Sequence, residues 1–272
     1  MKISLSKVME NDELFGIYGK DYYTSVRFGL FTAEDITAAD GTVIPADGMI
    51  SEVTLDENMT AKFDVQIPFG RYYVQEIATD EHYVLNGEMY LVNFEYMGQD
   101  IRNVDIDCGQ FVNLLKRGRI EGHKVDDKSE PLENAVFGLF TADCVKFSRD
   151  TAIMTAASDK NGYFVFDEIP YGEYIVREIE APTGYILSGE SYPVTVCEDG
   201  ETITIRTVNK PITVEVSKVD VYGEELIGAD MQLENADGEI IDEWIPMVQI
   251  TLFQSLVRVN MCLKKLPHPT VM

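Results

Sequence analysis

Positive charge is scarce in this sequence. Its 272 residues include 22 Lys and Arg against 47 Asp and Glu, which gives a formal net charge of -25 at pH 7. A surface this acidic repels phosphate backbones and anionic lipid headgroups. Nucleic acid and anionic membranes are therefore poor partner candidates. The same charge is also explained by solubility alone.

Long apolar runs and targeting signals are also missing. No run reaches the roughly 18 apolar residues that a membrane-spanning helix needs. Residues 1–11 contain no apolar segment of the kind found in signal peptides, so no signal peptide is expected. The chain opens instead on alternating polar and apolar residues at 3–7. A start inside a strand predicts that the sequence is a fragment of a longer protein.

Signatures of catalysis and metal binding are equally lacking. The sequence contains no G-x-S-x-G, H-E-x-x-H, P-loop or G-x-G-x-x-G pattern. The three histidines are scattered, and the segment Asp-Lys-Asn-Gly at 159–162 fits a hairpin turn better than a calcium loop. We therefore predict no cofactor, no metal and no catalysis on an external substrate.

The cysteines carry no metal or redox spacing. Cys108, Cys144, Cys197 and Cys262 include no C-x-x-C pair. We expect small buried or half-buried thiols, and a disulfide between Cys144 and Cys197 remains an open alternative.

What the sequence does contain is an internal repeat. Four blocks recur in the same order: Lys-Val, then Phe-Gly-Leu-Phe-Thr-Ala, then a Tyr-x-Val-x-Glu segment, then Val-Asn. Successive Lys-Val blocks are 117 and 94 residues apart, the size of one small domain. The predicted organisation is a complete repeat at 1–115, a second at 116–211, an incomplete third at 212–243 and an atypical tail at 244–272.

The sequence of each repeat predicts β-structure. The apolar runs are short, alternating and rich in Val, Ile, Tyr and Phe, and turn signals separate them. Many short strands joined by turns predict an all-β fold of tandem β-sandwiches.

Polar residues occupy positions that should face the core. Because side chains alternate along a strand, residues of equal parity share a face. By this parity one Lys, one Glu and one Asn of each complete repeat share a face with apolar neighbours. The alternative, polar residues at strand ends open to water, stays possible. The trios are Lys7, Glu76 and Asn113 in the first repeat, and Lys124, Glu178 and Asn209 in the middle repeat.

This combination suggests a reaction. Burial lowers the pKa of Lys and raises that of Glu, so the two can coexist as a neutral amine and a neutral acid. A neutral amine is a nucleophile. A protonated Glu can hydrogen-bond the Asn carboxamide, polarise its carbonyl and relay the proton. The product would be a Lys–Asn amide formed once, with loss of ammonia.

The middle repeat resembles the Cna B-type, SpaA-like domains of Gram-positive pilins and adhesins. The motifs that carry the likeness are Gly118-x5-Lys124-Val125-Asp126, Pro131-Leu132-x-x-Ala135-x-Phe137-Gly138-Leu139-Phe140, Pro170-Tyr171-Gly172-x-Tyr174, Glu178-x3-Pro182-x-Gly184-Tyr185 and Asn209-Lys210-Pro211. The resemblance implies a prealbumin-like sandwich and an isopeptide bond between Lys124 and Asn209, promoted by Glu178. It implies the same roles for Lys7, Asn113 and Glu76. The first repeat departs from the pattern after its Glu and after its Asn.

The resemblance also implies a function and a place. It predicts a structural or adhesive stalk segment on a Gram-positive cell wall, within a longer chain, whose partner is a host matrix protein or a glycan. The alternative is an accessory module of a secreted carbohydrate-active enzyme. No L-P-x-T-G sorting signal and no Tyr-Pro-Lys pilin motif is present.

The C-terminal segment changes character. Residues 244–272 contain no Asp or Glu, and the third repeat lacks both the Glu segment and the closing Asn strand. Lys218 is then expected to remain an unpaired amine. We expect a foreign tail, for example from a frameshift; the alternative is a divergent tail that folds back over the exposed sheet edge.

Overall fold

The computed structural model describes residues 1–38, 40–96, 98, 104–216, 221–222, 231–234, 240–244, 251–254 and 262–265. Strands dominate these residues, and the fold is all-β as predicted. Two short 3-10 turns, Gly19–Asp21 and Tyr23–Ser25, are the helical elements among them. Within the same ranges, no helix has the length and apolar character needed to cross a membrane.

The first repeat consists of two main sheets. Its strands are β1 (Lys2–Met9), β2 (Arg27–Thr32), β3 (Ile36–Thr37), β4 (Val43–Ile44), β5 (Met49–Thr54), β6 (Thr60–Asp64), β7 (Gly70–Ala78), β8 (Met89–Phe94) and β9 (Asp105–Asn113). One sheet has the order β6-β1-β9 and the other β5-β2-β7-β8, with β3 and β4 as a separate pair. Strand β1 runs antiparallel to β6 and parallel to β9, so the first and last strands of the repeat are neighbours.

The middle repeat has the same arrangement. Its strands are β10 (Arg117–Asp126), β11 (Val136–Thr141), β12 (Met154–Ala157), β13 (Tyr163–Pro170), β14 (Gly172–Glu180), β15 (Ser191–Val196) and β16 (Thr202–Asn209). The sheets have the orders β13-β10-β16 and β12-β11-β14-β15. Strand β10 again lies beside the last strand, β16. No sheet in the described part of the chain combines strands of the two repeats.

By backbone proximity the chain groups into two compact units. One contains residues 1–120, 167–174 and 194–203, and the other contains residues 121–166, 175–193 and 204–272. The division crosses five strands of the middle repeat and does not follow the sheets. The division into repeats at 115 and 211 remains a prediction.

Aromatic rings fill the space between the sheets. In the first repeat Phe28 contacts Phe111 with ring centroids 5.0 Å apart. In the middle repeat Phe137 stacks on Phe164 with centroids 3.8 Å apart. A side chain at Gly122 would collide with the Phe164 ring. This explains why a glycine occupies an inward-facing position of β10.

The turn at 159–162 differs from the sequence prediction. It connects β12 to β13, and these strands belong to different sheets, so the segment is not a hairpin turn. The Asp159 carboxylate accepts hydrogen bonds from the backbone N–H groups of Asn161 and Tyr163. Gly162 has a φ of +74° and lies against the Lys124 carbonyl, which leaves no room for a side chain. The turn therefore supports the backbone of β10 at Lys124.

The cysteines are free thiols where the structure describes them, so Cys144 and Cys197 form no disulfide. Cys108 is buried and Cys144 is half-buried, as expected. Cys197 is exposed, contrary to expectation, because it follows β15 in the turn before β16. Cys262 begins the strand Cys262–Lys265, whose side chains fall outside the description.

The described residues of the C-terminal part form five strands. They are β17 (Thr213–Val216), β18 (Met231–Glu234), β19 (Ile240–Trp244), β20 (Thr251–Gln254) and β21 (Cys262–Lys265). Strand β20 pairs with β17, and β21 pairs with β18. Strands of the predicted tail thus lie against strands of the third repeat. The expectation for Lys218 falls outside the described residues.

Candidate functional site

The middle repeat brings its predicted trio together between the two sheets. Lys124 on β10 and Asn209 on β16 belong to one sheet, and Glu178 on β14 belongs to the other. The Lys124 amine donates to Asn209 Oδ1 at 2.7 Å, and Asn209 Nδ2 donates to Glu178 Oε1 at 2.8 Å. The amine lies 3.7 Å from the same Glu178 oxygen. One carboxamide therefore connects the amine to the carboxyl group.

The first repeat has an equivalent site. Lys7 on β1 donates to Asn113 Oδ1 on β9 at 2.6 Å, and Asn113 Nδ2 donates to Glu76 Oε1 on β7 at 3.0 Å. Here the amine lies closer to the carboxyl group, with Lys7 Nζ 2.8 Å from Glu76 Oε1. In the first site the amine is thus within hydrogen-bonding distance of both the carboxamide and the carboxyl group.

All six side chains are buried, which confirms the core-facing positions predicted from strand parity. The exposed fraction of each residue is 3% or less. Burial lowers the pKa of both amines, Lys7 and Lys124, although the neighbouring carboxylates oppose the shift. Burial also raises the pKa of the Glu178 carboxyl group. Each shift favours the neutral form of the buried group.

The structure adds contacts that sequence reasoning missed. The second carboxyl oxygen of each Glu accepts a backbone N–H: Asn86 donates to Glu76 Oε2, and Ser188 donates to Glu178 Oε2, both at 2.8 Å. These donors lie in the loops after β7 and β14. No side-chain pattern signals a backbone donor, although the equal spacing of ten residues from each Glu could have pointed to it.

An aromatic ring lies beside each amine. Lys7 Nζ is 5.6 Å from the centre of the Phe28 ring, and Lys124 Nζ is 6.0 Å from the centre of the Phe137 ring. These rings are the first residues of the two Phe-Gly-Leu-Phe blocks. The recurring block therefore supplies an apolar wall next to the amine, which helps to exclude water from the site.

The chain after the Glu-bearing strand forms an equivalent backbone bridge in both repeats, although the two sequences differ there. After Glu76, Tyr83 pairs with Leu115; after Glu178, Tyr185 pairs with Pro211. The departures from the family motif at 78–83 and 114–115 therefore preserve the backbone arrangement around the site.

The role expected for Glu needs one correction. Glu was expected to hydrogen-bond the Asn carboxamide and polarise its carbonyl. In both repeats the hydrogen bond is present, but Glu contacts the carboxamide nitrogen and the Lys amine contacts the oxygen. The physical reason is that the strand order puts Lys and Asn on adjacent strands, and Glu faces them from the opposite sheet. A carboxyl group in this position can exchange a proton with the amine and with the nitrogen that would leave.

Comparison with known proteins identifies the middle repeat. The sequence model of the SpaA family, described as a prealbumin-like fold domain, matches residues 118–211. This segment of the chain is similar to a SpaA prealbumin-like domain. It contains Lys124, Glu178 and Asn209, so the whole middle site lies within the matched residues.

Two curated relatives are surface proteins of Gram-positive bacteria. The trypsin-resistant surface T6 protein of Streptococcus pyogenes is 32% identical over 90 residues, covering 33% of this chain and 15% of the relative. The collagen adhesin of Staphylococcus aureus is 25% identical over 187 residues, covering 62% of this chain and 16% of the relative. The chain thus spans less than a fifth of the length of either.

A solved structure supports the fold. The Bacillus anthracis TIE protein superposes with a TM-score of 0.61 at 20% identity, covering 98% of this chain and 45% of that one. At this identity the likeness concerns the fold alone.

Proposed function

We propose that this chain is a segment of a structural or adhesive protein of the Gram-positive cell surface. In this proposal the two complete repeats are locked by intramolecular Lys–Asn isopeptide bonds. The observation that carries it is the occurrence, in both repeats, of one buried Lys–Asn–Glu trio with the amine 2.6 and 2.7 Å from its carboxamide oxygen. A buried charge pair alone would need no carboxamide between its members.

The chemistry follows from the contacts. The neutral amine of Lys124 attacks the carboxamide carbon of Asn209, and a new C–N bond forms while the carbon–Nδ2 bond breaks. Protonated Glu178 gives its proton to Nδ2, which leaves as ammonia, and takes up the proton that the amine releases. Glu178 is regenerated, and its bond to the Ser188 N–H holds it in place throughout. Lys7, Glu76 and Asn113 react in the same way. Each repeat reacts once, on itself, and no external substrate is consumed.

The expected consequence is mechanical. Lys and Asn lie on the first and last strands of each repeat, which are neighbours in one sheet. A covalent bond between those strands transmits tension directly between them. Pulling on the chain then bypasses the rest of the sandwich, so the strands between the bonded residues are not unfolded. Such a module suits a stalk that holds a cell against flow.

Location and partner follow from the relatives and remain part of the proposal. The streptococcal relative is named as a surface protein and the staphylococcal one as a collagen adhesin. We extend the surface location to this chain, together with a host matrix protein as the class of partner.

Peptide mapping tests the proposal. Trypsin is expected to release residues 120–128 joined to residues 207–218 and residues 3–20 joined to residues 103–116, because a bonded Lys is not cleaved. Separate, unmodified peptides that end at Lys7 and at Lys124 would refute it. Glu180→Ala is the matched control for Glu178→Ala, since Glu180 is exposed and pairs with Arg149.

A further inference from the structure

The two sites differ at one position next to the Asn carboxamide. In the first repeat Asn113 Nδ2 donates a second hydrogen bond, to Thr79 Oγ1, at 2.8 Å. Thr79 is the residue directly after β7, three positions after Glu76. The residue directly after β14, three positions after Glu178, is Ala181. Alanine has no side-chain oxygen, so it cannot accept the corresponding hydrogen bond in the middle repeat.

The additional acceptor changes how the carboxamide is held. The terminal torsion of Asn is soft, so each further hydrogen bond restricts the tilt of the carboxamide plane. In both repeats the carboxamide oxygen accepts from Lys and one N–H donates to Glu. Asn113 Nδ2 donates two hydrogen bonds, one to Glu76 Oε1 and one to Thr79 Oγ1. Asn209 Nδ2 donates to Glu178 Oε1. The first carboxamide is therefore fixed in orientation from both sides of its nitrogen.

The first site also has more need of such a constraint. Its amine lies 2.8 Å from the Glu76 oxygen, against 3.7 Å in the middle repeat, and a closer carboxylate favours the charged, unreactive amine. A correctly oriented carboxamide compensates, because reaction requires the carbonyl carbon to face the amine during the short time that the amine is neutral.

We propose that Thr79 is a positioning residue for the first-repeat bond. This rests on the proposed function. The bond that forms joins Lys7 Nζ to the Asn113 carboxamide carbon, and the bond that breaks releases Nδ2 as ammonia, with the proton carried by Glu76. The Thr79 hydroxyl accepts a hydrogen bond from Nδ2 in the carboxamide. Attack on the carbonyl carbon frees the lone pair of Nδ2, and the hydroxyl can then donate a hydrogen bond to that nitrogen. Thr79 therefore holds the leaving group before and after the attack.

The test compares reaction rates in the full chain. Lys7 and Lys124 are both introduced with a photolabile cage, removed by light in denaturant, and the reaction is started by dilution. The two cross-linked peptides are then quantified from the same sample over time, so the middle repeat serves as an internal clock. The variants are Thr79→Ala and Thr79→Ser. The middle repeat has alanine, Ala181, at the equivalent position after β14, so Thr79→Ala is expected to fold.

We expect Thr79→Ala to slow the first bond roughly 5- to 10-fold relative to the middle bond, the effect of one hydrogen bond. Thr79→Ser should restore most of the rate. The pH limits of the reaction should stay in place, because Thr79 does not titrate. Equal rates in Thr79→Ala and the parent, no rescue by serine, or a shifted pH profile that reports a hydrated Lys7 would overturn the role of Thr79. If the parent chain forms no first-repeat bond, the proposed function of that repeat fails as well.

Discussion

Glu178 Oε1 lies 2.8 Å from Asn209 Nδ2, in the buried space between two sheets of the middle repeat. The same oxygen is 3.7 Å from the Lys124 amine, so a single carboxyl group can protonate the leaving nitrogen and take up the proton of the nucleophile. Burial raises the pKa of Glu178 and lowers that of Lys124, which brings the two proton affinities closer together. Both shifts lower the free-energy cost of moving a proton between the two groups.

Removing the carboxyl group should prevent the middle bond. In Glu178→Ala no group remains to carry the proton from the amine to Nδ2, so we expect Lys124 and Asn209 to stay unlinked while the first repeat still reacts. Intact mass would then show one ammonia lost instead of two. The exposed Glu180→Ala should behave as the parent chain. A normally linked middle repeat in Glu178→Ala would show that the carboxyl group is dispensable.

Loss of the bond should lower stability. Glu178→Gln keeps the shape of the side chain but cannot relay a proton, so the middle repeat should fold without its cross-link. The bond closes a loop between residues separated by 85 positions. By analogy with disulfides, its absence should reduce the unfolding free energy by about 4–5 kcal/mol. Chemical denaturation measures the change. An unfolding free energy equal to that of the parent would contradict a cross-link between these strands.

The reaction rate should be flat between the two titrations of the Lys124–Glu178 pair and should decline on both sides, because burial lowers the pKa of Lys124 and raises that of Glu178. The charged pair and the neutral pair of Lys124 and Glu178 carry the same number of protons, so pH does not change their ratio. Acid adds a proton and leaves Lys124 as the unreactive ammonium. Alkali removes a proton and leaves Glu178 unable to protonate the leaving nitrogen. The caged-lysine rate measurement checks this. A rate that climbs steadily up to about pH 10, as for an ordinary exposed lysine, would contradict it.

Much of the site could be predicted from the sequence because strand parity reports burial. Lys7 and Lys124 follow apolar residues in parity, and burial bears this out. The turn at 159–162 was wrongly interpreted, because local turn residues do not reveal whether the next strand joins the same sheet. Thr79 and the Ser188 N–H were missed for a related reason. Their contacts depend on how a loop folds back over the site, and no periodic pattern encodes that path.

Thiol reactivity should separate the cysteines. Cys108 is buried, and burial with the nearby Asp107 raises the pKa of its thiol to about 12. It should resist alkylation in the folded chain at pH 8 and react after denaturation. The exposed Cys197 should react faster in the folded chain, although desolvation and the nearby Glu201 also raise the pKa of its thiol. Mass spectrometry of peptides after a short treatment distinguishes them. Rapid labelling of Cys108 in the native chain would show that the first sandwich opens.

The mass of the intact chain under denaturing conditions tests the central claim most directly. The account predicts a mass below that of the sequence by two molecules of ammonia, one for Lys7 with Asn113 and one for Lys124 with Asn209. The double variant Glu76→Ala with Glu178→Ala should have the full mass of its own sequence. A parent chain with the full mass of its sequence would contradict the account.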